Sequence, residues 1–494
     1  MREGRPAFVL VVGPSADPLE RRAAELCAEL IEGWTGFSPE IRTDLSVPEP
    51  AVLLGTPTSA PSLEEALRAG TIRLAGLPDE GYHLKRIDER RVYVAANDPA
   101  GVLYGAVELI ERIGSLATGW EPFDPDIPLR LTGDLDAPDW DLRSAPAYPV
   151  RMTIESGEDP RWLALHRVNV SGAEGVWVGT GIDDGLGTAF RYVDGFESYQ
   201  DLPEPERRLF RGQLRSRLQA LRAYGVAPFL FFYVTGEPTR AIERNHPELL
   251  GPPVEYAAAR NGAFYRPFCW SRPEVVRLFQ ELVAQIVRTY PELEGLHLRA
   301  WGFETRACYC SECGGNGPEG QEALWRLTHA IIEAARSVRP ELRFILSGYD
   351  RSWWKDPDRR HLRRLPPGTI LLRKWGADGE PTPDPMIPTD LLQAVEAASH
   401  RLVILSHEAE EVQPLWMVEA PLFREGVRRA EALPGASAIG GWTLQGEVGF
   451  GRFDRNYSAR RNWDAGAAPE RVFGALVGAR YGEAAARYPR RGAV

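Results

Sequence analysis

The chain has 494 residues, 44% hydrophobic, 26% charged and 10% aromatic, a globular composition that excludes a disordered, collagen-like or small disulfide-stapled chain. Its 58 Lys and Arg against 69 Asp and Glu leave a net charge of −11, which argues against nucleic-acid binding through a broad basic surface. No stretch approaches the ~20 apolar residues of a membrane-spanning helix, and the opening apolar run Ala7–Val12 is too short for a secretion signal. The expectation is a cytoplasmic protein with neither membrane nor nucleic acid as partner.

Residues 1–140 read as a small α/β domain. Val9–Val12 is apolar throughout and predicts a strand. Glu20–Trp34 carries helical periodicity, and Ala51–Leu54 predicts a strand that stops at Gly55-Thr56-Pro57. Tyr82–Arg86 and Arg91–Ala95 alternate as a hairpin. A helix over Gly101–Ile113 follows Asn97-Asp98-Pro99, where either polar residue can cap and Pro99 suits the first turn. The Pro- and Asp-rich stretch Trp120–Pro138 reads as a linker.

Beyond it, short apolar strands alternate with longer amphipathic helices, the pattern of βα units on a parallel sheet. Strands are predicted at Val150–Ile154, Arg167–Val170, Pro228–Tyr233, Gly295–Trp301, Leu342–Ser347, Thr369–Arg373, Leu402–Ser406 and Ala438–Trp442. Eight is the number for a closed (β/α)8 TIM barrel, assigned to 141–455, with 456–494 a C-terminal helical segment.

Barrel enzymes place their working residues just after the strands. Glu304 follows strand four, Tyr349 strand five, Lys374 and Asp378 strand six, His407 and Glu408 strand seven, Glu447 strand eight. Trp301, Trp375 and Trp442 lie beside them. Sugar hydrolysis needs such a rim. One carboxyl holds a proton for the leaving oxygen, and another activates water or attacks the anomeric carbon. Indoles cover the apolar faces of sugar rings. The opposing reading makes each acid a solvated loop residue and each indole barrel packing.

Three stretches resemble the α-glucuronidases of glycoside hydrolase family 67. They are Gly81-Tyr82-His83-Leu84 with Val92–Gly105, the strand ends above, and Gln445-Gly446-Glu447 with Asp454–Trp463. The first is similar to the small N-terminal domain shared with hexosaminidases. The resemblance implies Glu304 as general acid and Asp378 and Glu408 as the water-activating pair of an inverting enzyme. It also implies Arg299 and Lys374 as grips on a sugar carboxylate, each displaced by one position. The substrate expected is an oligosaccharide or glycoside. The same positions fit a retaining β-glycosidase with Glu304 as acid/base and Glu408 as nucleophile. A non-catalytic carbohydrate-binding barrel is the reading from another class, because strand five lacks the family's Arg. A homo-oligomer is compatible with all three.

Five cysteines include Cys308-Tyr309-Cys310-Ser311-Glu312-Cys313, with Cys269 after the strand-three region. In a reducing compartment this spacing favours metal over disulfide. Four thiolates would form a closed, structural zinc site; the arrangement is similar to the zinc site of family-42 β-galactosidases. Free thiols are the alternative. Cys27, His166 and His297 read as core, and Gly314–Gly317 as loop rather than a dinucleotide motif.

Overall fold

Alternation along the N-terminal strands builds a two-faced sheet. Strands β1 (Val9–Val12), β2 (Ile41–Arg42), β3 (Ala51–Gly55), β4 (Tyr82–Arg86), β5 (Arg91–Ala96) and β6 (Asp141–Ser144) are ordered β2-β1-β3-β5-β4-β6. The β4–β5 and β4–β6 pairs are antiparallel and the others parallel. Leu10, Val12, Val52, Leu54, Val94 and Ala96 cover one face, under helices α1 (Pro18–Thr35) and α3 (Pro99–Thr118). Val9, Val11, Leu53, Tyr93 and Ala95 cover the other, beside Leu63 of α2 (Pro61–Arg68). The structure is a computed structural model and describes residues 1–43, 50–153, 158–173, 189–234, 238–255, 264–300, 307–315, 317–348, 359–374, 387–406, 427–444, 459–466 and 468–481.

Helix ends follow their local chemistry. Asp17 and Glu20 form a capping box at the start of α1. Asp98, not Asn97, caps α3 by accepting from the Gly101 amide at 2.8 Å. Gly105 lets α3 lie against the sheet, since a Cβ there would come within 2.6 Å of the Val94 side chain. The stretch expected as a linker is packed instead. Phe123 is fully buried, edge-on to Trp34 at 5.7 Å, and Leu131 donates its amide to the Trp34 carbonyl.

All eight predicted barrel strands are present: β7 (Met152–Thr153), β8 (Val170–Ala173), β9 (Ala227–Tyr233), β12 (Gly295–Ala300), β13 (Arg343–Gly348), β14 (Ile370–Lys374), β15 (Arg401–Ser406) and β16 (Ile439–Leu444). They pair in parallel and in chain order. Strands β10 (Val254–Glu255) and β11 (Phe264–Tyr265) form a separate antiparallel pair. The barrel closes where the Val150 amide, just before β7, donates to the Gly440 carbonyl of β16 at 2.8 Å. Val170, Phe229, Ile345, Ile370, Leu372 and Val403 pack together inside the barrel. Leu230, Leu296, Leu298, Leu346, Leu371, Leu402 and Ile404 face outward. They share a core with α5 (Glu204–Ala223), α7 (Pro273–Thr289), α8 (Pro318–Val338) and α9 (Thr389–Ala397). Shorter helices α4 (Pro160–Leu165) and α6 (Arg240–Asn245) lie in the connections, and α10 (Pro469–Tyr481) lies in the C-terminal segment.

Strand two starts three residues later than expected. Arg167 takes a left-handed φ of 55° and turns its side chain into the N-terminal sheet's helix layer. There it pairs with Glu108 and Glu111 of α3 at 2.9 Å each. Arg460 meets Glu111 at 2.8 Å, and Arg151 meets Glu80 at 2.6 Å. Trp463 stacks on Tyr82 at 5.7 Å, with the Arg151 and Arg167 guanidinia 5.3 and 5.1 Å from its ring. This buried, charge-matched seam joins the barrel to the α/β unit.

Candidate functional site

Parallel register brings the strand exits to one rim. Ala300 is paired with Gly348, Gly348 with Arg373, Lys374 with Leu405, and Ser406 with Leu444. Glu304 follows Ala300 by four residues, Asp378 follows Lys374 by four, and His407 and Glu408 follow Ser406 directly. Strands β12, β14 and β15, after which the three carboxylates stand in the sequence, therefore end at the same rim of the barrel. Glu304, Asp378, Glu408, Trp301, Tyr349, Trp375, His407 and Glu447 themselves lie outside the described residues. Lys374 is the last residue of β14, opposite Leu405.

Below that rim the interior of β12 is polar. Leu296 and Leu298 face outward, so His297 and Arg299 face in. Arg299 is 2% exposed, and its guanidinium lies 5.7 Å from the Phe231 ring. His297 Nε2 and Ser347 Oγ are hydrogen-bonded at 2.6 Å, with the imidazole edge-on to Phe231. Burial, then the Arg299 charge, holds the His297 pKa well below the ordinary range. The imidazole is neutral, and Arg299 carries the fixed positive charge of this layer. Sequence reading placed His297 in the core, which it is, but did not find its bond to Ser347. The two residues are distant in sequence, and only the β12–β13 register brings them together.

Trp442 is not on the rim. A bulge pairs Leu402 with Ile439 but Val403 with Gly441, leaving one extra residue in β16. Trp442 is thereby opposite the outward-facing Ile404. It is buried, and its backbone is held by Asn462, whose Oδ1 accepts from the Trp442 amide at 2.9 Å. The Asn462 amide also donates to the Trp442 carbonyl. An unbroken alternation from Ile439 would have pointed the indole inward, and the bulge reverses it.

The cysteine prediction converges in space. The sulfurs of Cys269, Cys308, Cys310 and Cys313 all lie within 4.8 Å of one another. Cys269 is 3.7 Å from Cys310 and 3.8 Å from Cys313. None is in a disulfide, and all but Cys310 are buried. The Cys308 contact lowers the Cys269 pKa, but Cys313 and burial outweigh it and push that thiol up to about 11. Cys313 is shifted down by its contacts with Cys269 and Cys308. Gly314 and Gly315, both left-handed at φ 68° and 63°, turn the chain after Cys313, as the loop reading expected.

No known family profile and no curated protein matches the sequence. Solved structures do match in fold. A 4-O-methyl-α-glucuronidase of glycoside hydrolase family 115, with specificity for decorated arabinogalactans, superposes with a TM-score of 0.62 at 12% identity. The match covers 99% of this chain and 60% of that one, so this chain spans less than two thirds of its length. A family 138 enzyme targeting pectin rhamnogalacturonan II gives 0.64 at 13% identity, covering 98% and 68% of the two chains. A β-hexosaminidase from Streptomyces plicatus gives 0.59 at 12% identity, covering 98% and 92%. The chain thus shares with several glycoside hydrolase families the architecture of a (β/α)8 barrel behind a small α/β domain.

Proposed function

We propose that this chain is a glycoside hydrolase acting on an acidic sugar of an oligosaccharide or glycoside. The observation that carries the reading is the convergence of the β12, β14 and β15 exits on one rim, directly above a buried Arg299. Glu304 is assigned the proton for the leaving oxygen. Asp378 and Glu408 are assigned the activation of water, which requires carboxyls ~6.5–9.5 Å from the acid. Arg299, always charged and desolvated, suits recognition of a carboxylate better than Lys would. The fold shared with a family 115 α-glucuronidase supports the acidic-sugar reading, and the wider set of matches supports hydrolysis.

The test is a panel of aryl glycosides, uronides and uronic-acid-substituted oligosaccharides, with the first-formed anomer read by NMR. Cleavage of a uronide with inversion is expected. Retention would transfer Glu408 to the role of nucleophile. No turnover across the panel, with intact glycan bound, would reduce the barrel to a carbohydrate-binding module.

A further inference from the structure

Two segments meet at the thiol cluster. Cys269 precedes α7 on the connection from β9, and Cys308, Cys310 and Cys313 lie between β12 and α8. Strands β9 and β12 are neighbours, so the cluster joins successive βα connections on the rim side of the barrel. A tetrahedron with ~2.3 Å metal–sulfur bonds has edges of about 3.8 Å. The Cys269–Cys310 and Cys269–Cys313 separations are 3.7 and 3.8 Å. A disulfide needs ~2.05 Å.

The surroundings are built for thiolates. The Cys313 amide donates to Cys310 Sγ at 3.4 Å, and Ser271 Oγ lies 3.0 Å from Cys313 Sγ. Such outer hydrogen bonds orient metal ligands and offset their charge. The Gly315 amide donates to the Cys308 carbonyl, and the Gly251 amide to the Pro267 carbonyl. A Cβ on Gly251 would lie 2.4 Å from Cys308 Sγ, so the backbone approaches the cluster as closely as glycine allows. Four thiolates within 4.8 Å of one another suit a tetrahedral zinc ion, and a closed set leaves no position for substrate.

We infer that Cys269, Cys308, Cys310 and Cys313 hold one zinc ion, and that this centre clamps the chain leaving β12 to the chain entering α7. Glu304 stands four residues before Cys308 in the sequence, so the clamp anchors, at Cys308, the chain that follows the proposed acid. The zinc centre stands without the hydrolase reading; only its bearing on Glu304 rests on it.

The full chain, purified from zinc-supplemented medium without chelator, is expected to carry about one zinc by mass spectrometry. Cobalt exchange should give the d–d bands of a tetrahedral thiolate site. Cys310→Ser, at the one partly exposed ligand, should lower zinc affinity by at least roughly tenfold with circular dichroism preserved. Chelation should raise hydrogen exchange in 266–272 and 307–315 but not in β13 to β15. Iron in place of zinc, or less than about a tenth of a zinc per folded wild-type chain, would overturn the centre, whatever the variant does. Exchange unchanged in both segments would overturn the clamp. Zinc present with no glycoside cleaved would sink the hydrolase reading alone, and cleavage without zinc would sink this one alone.

Discussion

Arg167 and Glu111 form an ion pair of 2.9 Å with side chains 3% and 5% exposed, and it links the turn before the second barrel strand to helix α3 of the N-terminal unit. Glu108 and Arg460 extend it. Removing one partner of such a buried group strands charge in a dry interface. Arg167→Met is expected to cost about 3–5 kcal/mol in urea unfolding. A change below about 1 kcal/mol would show the seam to be solvated in solution.

The same seam predicts a pH dependence. Burial alone would raise the Glu108 pKa, but Arg167, Arg112 and Arg460 outweigh it and hold it below the ordinary range. A carboxylate with a lowered folded pKa adds stability above its unfolded pKa of about 4.3. That stability is lost as pH falls toward the folded pKa. Melting temperature should therefore drop as pH is lowered from about 5 toward 3, and less steeply in Glu108→Gln.

Trp442 separates packing from recognition. Its place outside the barrel predicts that Trp442→Phe lowers stability by about 1–2 kcal/mol. The KM for any cleaved glycoside should stay unchanged. A raised KM with unchanged stability would return the indole to the rim. Asn462→Ala should cost about 1–3 kcal/mol, because it leaves the Trp442 amide and carbonyl without partners.

Arg299 is assigned to the charge of the sugar. Arg299→Met should lower kcat/KM for an anionic glycoside by roughly 30- to 100-fold, the size of a charge-assisted hydrogen bond. Any neutral glycoside cleaved should be affected far less. Equal losses on both would make Arg299 a structural cation.

Cys27 serves as the contrast to the clustered thiols. Burial pushes it up to about 12, and it lies within α1. It should resist alkylation in the native protein at pH 8 and react only on unfolding, as mass-resolved peptide mapping would show.

The barrel was legible because its strands are near-continuous apolar runs. Their inner and outer layers are both buried, as with Ile345 and Leu346 on adjacent positions of β13. What escaped the sequence depends on partners far along the chain. Arg167 reads as a strand residue until Glu108 and Glu111 are brought to it. The two-residue β2 shows no period, and β6 becomes a strand only by pairing with β4. Trp442 was misplaced because a bulge of one residue reverses facing and has no composition signal beyond Gly440-Gly441. The four cysteines were legible from spacing and the parallel order of β9 and β12. The carboxylates were legible only as positions after strands.

The most direct test is turnover by the folded wild type, Glu304→Gln and Glu408→Gln on a glycoside that the wild type cleaves. Loss of roughly 10²–10⁴-fold in kcat in each variant, with circular dichroism unchanged, is the outcome predicted for a proton donor and its opposing carboxylate. Undiminished cleavage by both folded variants would contradict the assignment of the rim.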